Sequence, residues 1–314
     1  MSNLARIYPH DRVTLREVGL RDGLQLVRKW PDTDEKQQWL TREHAAGVRH
    51  FEIGSFLPAK SFPQFADIGE MISAVAALGD AHSAALALNE RGLDDAMQTA
   101  VGEIVCVISA TEDHSQANMR RSRADAIELV RKAASLRDAH APDKIINAGI
   151  AMAFGCSISG DVEPGEVIRL AEACLEAGAD VVGLADTVGY AGPHQVGAMS
   201  KAMARLCGER PFSIHLHDTR GMGIANAAAA LDNGARVLDG SLGGLGGCPF
   251  APGATGNVVF EDLVFLCETM GFATGIDLSA LKQARAIAEH SMPDEAFYGA
   301  LAKAGPPANL KWSA

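Results

Sequence analysis

The stretch Ser213-Ile214-His215-Leu216-His217-Asp218 carries both the strand signal on which the fold depends and a pair of histidines. Side chains alternate between the two faces of a strand, so residues two apart point the same way. His215 and His217 therefore project their imidazoles into one space, which is a chelating arrangement. A lone histidine is more often a packed core residue, but a pair at strand spacing followed by Asp218 favours metal binding or catalysis.

Short β-rich runs of this kind recur eight times along the chain, at residues 13–18, 48–54, 83–88, 104–109, 145–153, 180–185, 212–217 and 235–242. Apolar residues spaced three and four apart predict helices between them, at 33–46, 65–78, 91–100, 121–140, 165–177, 193–207, 223–233 and 259–270. This strict alternation predicts an α/β fold, a (β/α)8 TIM barrel, with a doubly wound sheet as the alternative.

The predicted barrel accounts for most of the chain. We expect one domain over residues 1–314, with the barrel at about 10–271 and a C-terminal extension at 272–314. The extension carries one further helical pattern at 278–290, which could pack as a cap or move as a lid.

Composition limits the kinds of partner. The 314 residues are 47% hydrophobic and carry a formal net charge of −11, which argues against nucleic-acid and anionic-membrane surfaces but leaves a small anionic substrate open. The six cysteines show no C-x-x-C spacing, as expected for reduced thiols. Since no targeting signal or apolar run of about 18 residues is present, we expect a soluble, cytoplasmic protein.

In a (β/α)8 barrel the chemistry lies at the carboxyl ends of the strands. Asp22 follows the first strand and, with His215 and His217, makes a carboxylate and two-imidazole set suited to Mn²⁺, Fe²⁺, Zn²⁺ or hydrated Mg²⁺. Arg21 places fixed positive charge beside that set, where it could stabilise an oxyanion. Glu52 ends the second strand and could orient Arg21 or bind the metal.

A second group of polar residues follows the eighth strand, in a glycine-rich segment at 240–257. The segment matches neither G-x-G-x-x-G nor the P-loop, so we interpret it as a mobile active-site loop carrying Cys248 between glycine hinges. Asn257, near the start of the next helix, could offer an amide oxygen to a metal. Whether Cys248 is an acid, a base or a nucleophile stays open at this point.

Several motifs together resemble the 3-hydroxy-3-methylglutaryl-CoA lyases, over nearly the whole chain and in the same order. They are Glu17-Val18-Gly19-Leu20-Arg21-Asp22-Gly23-Leu24-Gln25, Glu52-Ile53-Gly54-Ser55-Phe56, Ser115-Gln116-Ala117-Asn118, Ala185-Asp186-Thr187-Val188-Gly189, His215-Leu216-His217-Asp218-Thr219-Arg220-Gly221, Gly244-Leu245-Gly246-Gly247-Cys248-Pro249 and Gly256-Asn257.

The resemblance implies a role for each matching residue. Asp22, His215, His217 and Asn257 would bind Mg²⁺ or Mn²⁺, and Arg21 and Gln25 would contact the substrate. Arg21 would also steady an enolate, Glu52 would support the site, and Cys248 would transfer a proton. Either Asp22 or His215 would act as the base.

The implied activity is a metal-dependent cleavage of a 3-hydroxyacyl-CoA, with acyl-CoA as the substrate partner. The resemblance is weakest at Leu20, at Leu26-Val27 and at residues 151–157 after the fifth strand, which leaves the acyl group open and keeps a citramalyl-type thioester as an alternative. A Claisen-type synthase and a non-catalytic metal- or CoA-binding protein are further alternatives. We expect a homodimer, and we assign the basic cluster Arg120-Arg121-Ser122-Arg123 to a solvated helix start in preference to a CoA-phosphate site.

Overall fold

The computed structural model describes residues 3–247 and 256–307. Its eight strands pair in parallel and in chain order to form a closed barrel, which confirms the predicted (β/α)8 fold and excludes the doubly wound sheet. The strands are β1 Thr14–Glu17, β2 His50–Ser55, β3 His82–Leu86, β4 Glu103–Ser109, β5 Ile145–Ala151, β6 Val181–Asp186, β7 Phe212–Leu216 and β8 Val237–Gly240.

Helices cover the outside of the barrel, and each helix predicted from the sequence is present with both ends within three residues of the expected position. In chain order they are α1 Asn3–Ile7, α2 Thr33–Ala45, α3 Ile68–Ala77, α4 Glu90–Met97, α5 Glu112–Met119, α6 Arg123–His140, α7 Pro164–Glu176, α8 Pro193–Cys207, α9 Gly223–Asp232, α10 Phe260–Thr269, α11 Leu278–Ser291 and α12 Ala300–Ala304. The short helices α1, α5 and α12 were not predicted. Segments of five to eight residues show too little hydrophobic periodicity to be distinguished from loops.

Local sequence explains where the helices begin. Asp32 accepts a hydrogen bond from the backbone of Glu35, whose side chain accepts one from Asp32, so a reciprocal capping box opens α2. Pro164 and Pro193 occupy the first turns of α7 and α8, where a missing N–H costs nothing.

The barrel closes where the first and last strands meet. β1 pairs with β8 over four residues, and Arg16 lies opposite Asp239 in this register. At the amino end of the barrel, Tyr8 packs against Ile145, Val181 and Val237 and seals the interior from below. The opposite, carboxyl end is therefore the accessible one.

The C-terminal extension packs against the barrel wall. α11 lies against α2, and the backbone N–H of Asp277 donates to the carbonyl oxygen of Ala46 at 2.7 Å. These contacts favour the packing interpretation of this helix over the lid interpretation. Among the helices of the described residues, none is long and apolar enough to cross a membrane.

Candidate active site

Four predicted site residues meet at the carboxyl end of the barrel. Asp22 lies in the π-helical turn Gly19–Gly23 that follows β1, His215 lies in β7, and His217 immediately follows β7. Asn257 forms an isolated antiparallel bridge with His217, which brings the segment before α10 across the end of β7. Residues far apart in the sequence are thus placed side by side.

The donor atoms of three of these residues converge. Asp22 Oδ2 lies 3.6 Å from His217 Nε2 and 4.0 Å from His215 Nε2, and the two imidazole Nε2 atoms are 3.1 Å apart. One ligand atom from each residue lies within 4.8 Å of the others. Ligands bound to one ion at about 2.0–2.2 Å are separated by distances of this order, so the three residues could hold a metal.

Asn257 supplies a fourth donor beside them. Its side-chain NH2 donates to Asp22 Oδ2 at 2.8 Å and to the carbonyl oxygen of Leu245 at 2.9 Å. The amide oxygen of Asn257 is thereby left buried without a hydrogen-bond partner. A buried acceptor without a partner is costly, and coordination of a cation would satisfy it.

Glycine at position 246 allows this arrangement. The residue has φ of +113°, and a Cβ atom there would lie 2.5 Å from Asn257 Nδ2 and 3.4 Å from Asp22 Oδ2. Only glycine lets the loop backbone approach the Asp22–Asn257 pair so closely. Gly246 therefore marks a close approach of the loop backbone to the site.

Charge around the site keeps the carboxylate ionised. Burial alone would raise the pKa of Asp22, but Arg21 and the two imidazoles outweigh it and hold the pKa well below its usual value. Burial would likewise lower the pKa of His215, yet the hydrogen bond and charge of Asp239 raise it. The ionised carboxylate is the form that binds a cation.

Arg21 and Glu52 form a second pair at the same end of the barrel. The guanidinium of Arg21 contacts Asp22 through Nη1, and its Nε lies 3.4 Å from Glu52 Oε2. Glu52 is buried, and burial raises its pKa despite the opposing charge of Arg21. The position of Glu52 favours a role in orienting Arg21 over a role in binding a metal.

A buried polar network that we did not predict supports His215 from below. His215 Nδ1 lies 3.1 Å from Asp239 Oδ2, and Arg16 binds both oxygens of Asp239 at 2.9 and 3.0 Å. Arg16 also binds Glu103 Oε1 at 2.9 Å, and Glu103 accepts a further hydrogen bond from Tyr8. The network crosses the barrel interior from Tyr8 to the imidazole. Charged residues inside apolar strand runs, as at Arg16 and Asp239, were the signal that could have revealed it.

Glu17, the last residue of β1, anchors the turn that follows the strand. Its side chain is fully buried, and Oε1 accepts hydrogen bonds from the backbone N–H groups of Gly19 at 2.8 Å and Leu242 at 3.0 Å. Burial raises its pKa to about 8. The residue ties the Arg21–Asp22 turn to the base of the glycine-rich loop.

These groups face one cavity of about 420 Å³. Arg21, Asp22, Glu52 and both histidines line it, and Gln25 contributes to its wall. Asn118 and Arg121 border the cavity as well, so part of the basic cluster before α6 is adjacent to the site and not only a solvated helix start. Cys248 lies outside the described residues.

Fold and site define the class: an α/β-barrel enzyme with a candidate cation site and an arginine at the mouth of the barrel. A sequence profile of the HMGL-like family matches residues 12–287. The chain belongs to this family, which confirms the resemblance stated from the motifs.

Individual relatives agree with that assignment. The chain is 36% identical to the hydroxymethylglutaryl-CoA lyase YngG of Bacillus subtilis, over 91% of this chain and 94% of the relative. It is 37% identical to the (R)-citramalyl-CoA lyase of Chloroflexus aurantiacus, over 86% and 88% of the two chains. The solved structure of an HMG-CoA lyase from Acinetobacter baumannii, in complex with coenzyme A and 3-methylmalate, superposes with a TM-score of 0.87 at 34% identity, covering 98% of this chain and 99% of that one.

Proposed function

We propose that the protein is a divalent-metal-dependent carbon–carbon lyase that cleaves 3-hydroxy-3-methylglutaryl-CoA to acetyl-CoA and acetoacetate. The observation that carries this proposal is the convergence of Asp22, His215 and His217 beside Asn257 and Arg21 in one cavity. Membership of the HMGL-like family and a relative solved with coenzyme A support the same activity.

Asp22, His215, His217 and Asn257 would hold the cation, which we propose to be Mg²⁺ or Mn²⁺. Two of these residues supply oxygen atoms and two supply imidazole nitrogens, a mixed set that both ions accept. When bound, the cation supplies Lewis-acid activation of the substrate's C3 hydroxyl.

Side chains of the protein would transfer the protons and stabilise the negative charge that develops. A base takes the proton of the C3 hydroxyl, the C2–C3 bond breaks, and the bonding electrons remain on the thioester as an enolate. The guanidinium of Arg21 stabilises the enolate oxygen, and Glu52 keeps that guanidinium in place. Cys248 returns a proton to C2, which gives acetyl-CoA.

Asp22 and His215 are the two candidate bases. Arg21 and the two imidazoles hold the pKa of Asp22 low, so its carboxylate accepts a proton poorly. His215 Nδ1 faces Asp239, which raises the pKa of the imidazole, so Nε2 is its proton-accepting atom. His215 would therefore act as the base only if Asp22, His217 and Asn257 hold the cation without it.

A citramalyl-type thioester is the second candidate substrate, since the citramalyl-CoA lyase relative shares 37% identity with this chain. Assays of the purified protein with Mg²⁺ and with Mn²⁺ on both thioesters separate the two. Asp22→Ala and His217→Ala should lose both cation binding and turnover, whereas Asp11→Ala, at an exposed position, should keep both. Unchanged cation titration in the two site variants would contradict the proposed metal set.

A further inference from the structure

The turn that follows β8 sets the position of one proposed cation ligand. Residues Leu242–Gly244 form a short 3-10 turn at the start of the glycine-rich segment, and we call this turn the loop base. The next residue, Leu245, presents its carbonyl oxygen to the side-chain NH2 of Asn257 at 2.9 Å. Because the NH2 group is held by Leu245 and Asp22, the orientation of the amide oxygen of Asn257 depends on where the loop base lies.

The C-terminal extension contacts the loop base directly. The backbone N–H of Tyr298 donates to the carbonyl oxygen of Gly243 at 2.7 Å. The ring of Phe297 packs over the same residue, so a Cβ atom on Gly243 would collide with Phe297 Cδ1. Gly243 also has φ of +63°. Glycine is therefore favoured both by the backbone conformation and by the close approach of the extension.

A buried carboxylate holds the other backbone group of Gly243. Glu261, in the first turn of α10, accepts a hydrogen bond from the Gly243 N–H through Oε2 at 3.0 Å. The side chain of Glu261 is buried, and burial raises its pKa, although the Gly243 N–H and Arg285 oppose this rise. Both backbone groups of Gly243 are thus bonded to residues outside the glycine-rich segment.

One guanidinium joins these two contacts. Arg285 on α11 donates through Nη1 to Glu261 Oε1 at 3.0 Å and to the carbonyl oxygen of Tyr298 at 2.8 Å. Its guanidinium carbon lies 5.6 Å from the centre of the Phe297 ring, within the range of a cation–π contact. Arg285 therefore binds both of the residues that hydrogen-bond to Gly243.

Arg285 itself lies outside the cavity, since it is not among the described residues that line it. The contacts that connect Arg285 to the candidate cation site lead through Gly243 and Leu245 to Asn257. Charge and positioning then predict opposite effects of removing the guanidinium. Loss of a positive charge alone would strengthen cation binding, whereas loss of a positioning contact would weaken it.

The attachment of the extension does not depend on Arg285 alone. The carboxylate of Asp262 accepts hydrogen bonds from the backbone N–H groups of Ala300 and Leu301, both at 2.8 Å. These bonds fix the extension to α10 just beyond Tyr298. Variants of Arg285 should therefore stay folded, with the extension in place and only the contacts at the loop base loosened.

This inference rests on the cation site of the proposed function. We infer that Arg285 is a positioning residue for that site: through Glu261 and Tyr298 it fixes the loop base, and the loop base directs the amide oxygen of Asn257 at the cation. Without the guanidinium, the two partners of Gly243 are less firmly placed, so Asn257 is held less often in the ligating orientation. Arg285→Gln should therefore lower the affinity for Mn²⁺ by about three- to thirtyfold.

Isothermal titration of the purified protein with Mn²⁺ measures this change. Lys282→Gln, at an exposed position of the same helix, removes the same charge and is the matched control; it should change the affinity by less than about twofold. Asn257→Ala keeps three of the four proposed ligands, so its weaker Mn²⁺ binding can still be titrated. In that background Arg285→Gln should change the affinity by less than about twofold, because the ligand through which Arg285 acts is gone.

Hydrogen exchange, measured by mass spectrometry on the metal-free protein, tests the loop base independently of the cation. Exchange over residues 242–245 should be at least about threefold faster in Arg285→Gln than in the parent, because the amide of Gly243 is less protected. Phe297→Ala, which removes the ring over Gly243, replaces Arg285→Gln if circular dichroism shows that the latter is unfolded.

Unchanged or tighter Mn²⁺ binding in the variant overturns the inference and leaves the proposed function standing. Parent-like exchange at the loop base, or an undiminished effect of Arg285→Gln in the Asn257→Ala background, overturns it too. A parent that binds no Mn²⁺ overturns both this inference and the proposed cation site.

Discussion

Asp239 Oδ2 lies 3.1 Å from His215 Nδ1, on the side of the imidazole away from Asp22 and His217. This contact sets the orientation of the ring and leaves Nε2 as the atom directed at the candidate cation site. Burial would raise the pKa of Asp239, but Arg16 and His215 together lower it, so the residue is an ionised partner. Histidine ligands backed by a carboxylate in this way are better oriented and more basic.

Asp239→Asn should therefore weaken cation binding by about 10–100-fold, because the amide removes the charge behind His215 while keeping its size. Isothermal titration with Mn²⁺ measures the change, and far-ultraviolet circular dichroism verifies the fold. Asp11→Asn, at an exposed position, serves as the control. Parent-like Mn²⁺ affinity in Asp239→Asn would exclude a positioning role.

Arg21→Lys should cost on the order of 2–4 kcal/mol in activation free energy, since an ammonium on a flexible stem cannot hold an enolate oxygen as a planar guanidinium does. Substrate affinity should change less than turnover, so steady-state kinetics should show the loss mainly in kcat. Arg12→Lys, at an exposed position, is the matched control. Near-parental kcat in Arg21→Lys would mean that the enolate is stabilised elsewhere.

Cys248→Ser should bind metal and acyl-CoA about as well as the parent but lose on the order of 10²–10⁴ in turnover, as expected for a missing proton-transfer group. The other five cysteines are buried, so a thiol reagent should modify Cys248 first. Peptide mapping after limited alkylation identifies the modified residue, and bound substrate should slow the modification. If alkylation leaves the parent fully active, the proton comes from another group.

Glu17 makes stability depend on pH in a predictable direction. Burial raises its pKa from 4.5 to about 8, so between these values the folded protein keeps a proton that the unfolded chain releases. The free energy of unfolding therefore falls as the pH rises from about 4.5 to about 8. Above about pH 8, ionisation of Glu17 lowers it no further.

Glu17→Gln cannot ionise and keeps an oxygen for the backbone donors of Gly19 and Leu242. Relative to the parent, the variant should gain on the order of 2–4 kcal/mol of stability between pH 5 and pH 8. Urea unfolding at the two pH values measures the gain, and Glu70→Gln, at an exposed position of α3, should show none. A difference between variant and parent that stays constant with pH would show that Glu17 is ionised in the folded protein.

The barrel could be predicted because each of its units carries its own local signal. Strands and helices alternate with clear periodicity, and capping residues such as Asp32 and Pro193 mark helix starts in the sequence itself. His215 and His217, two residues apart at the end of β7, and the Arg21-Asp22 turn can likewise be recognised from short stretches of sequence. Their meeting at one end of the barrel follows from the rule for strand ends, once the fold is assigned.

What could not be predicted depends on pairs that are distant in sequence. Arg16 and Asp239 form an ion pair because β1 pairs with β8 when the barrel closes. Neither residue indicates by itself which residue is its partner. The burial of Glu17 could not be predicted either, because burial of a carboxylate depends on the packing around it.

The order of the site residues along the chain has a consequence for how the enzyme is made. Asp22 is synthesised early, whereas His215, His217 and Asn257 all belong to the last third of the sequence, and β1 cannot pair with β8 until residues 237–240 exist. A ribosome releases the chain from its amino end, so the nascent protein holds no complete donor set for most of its synthesis. The candidate cation site can therefore be complete only after Asn257 has been translated.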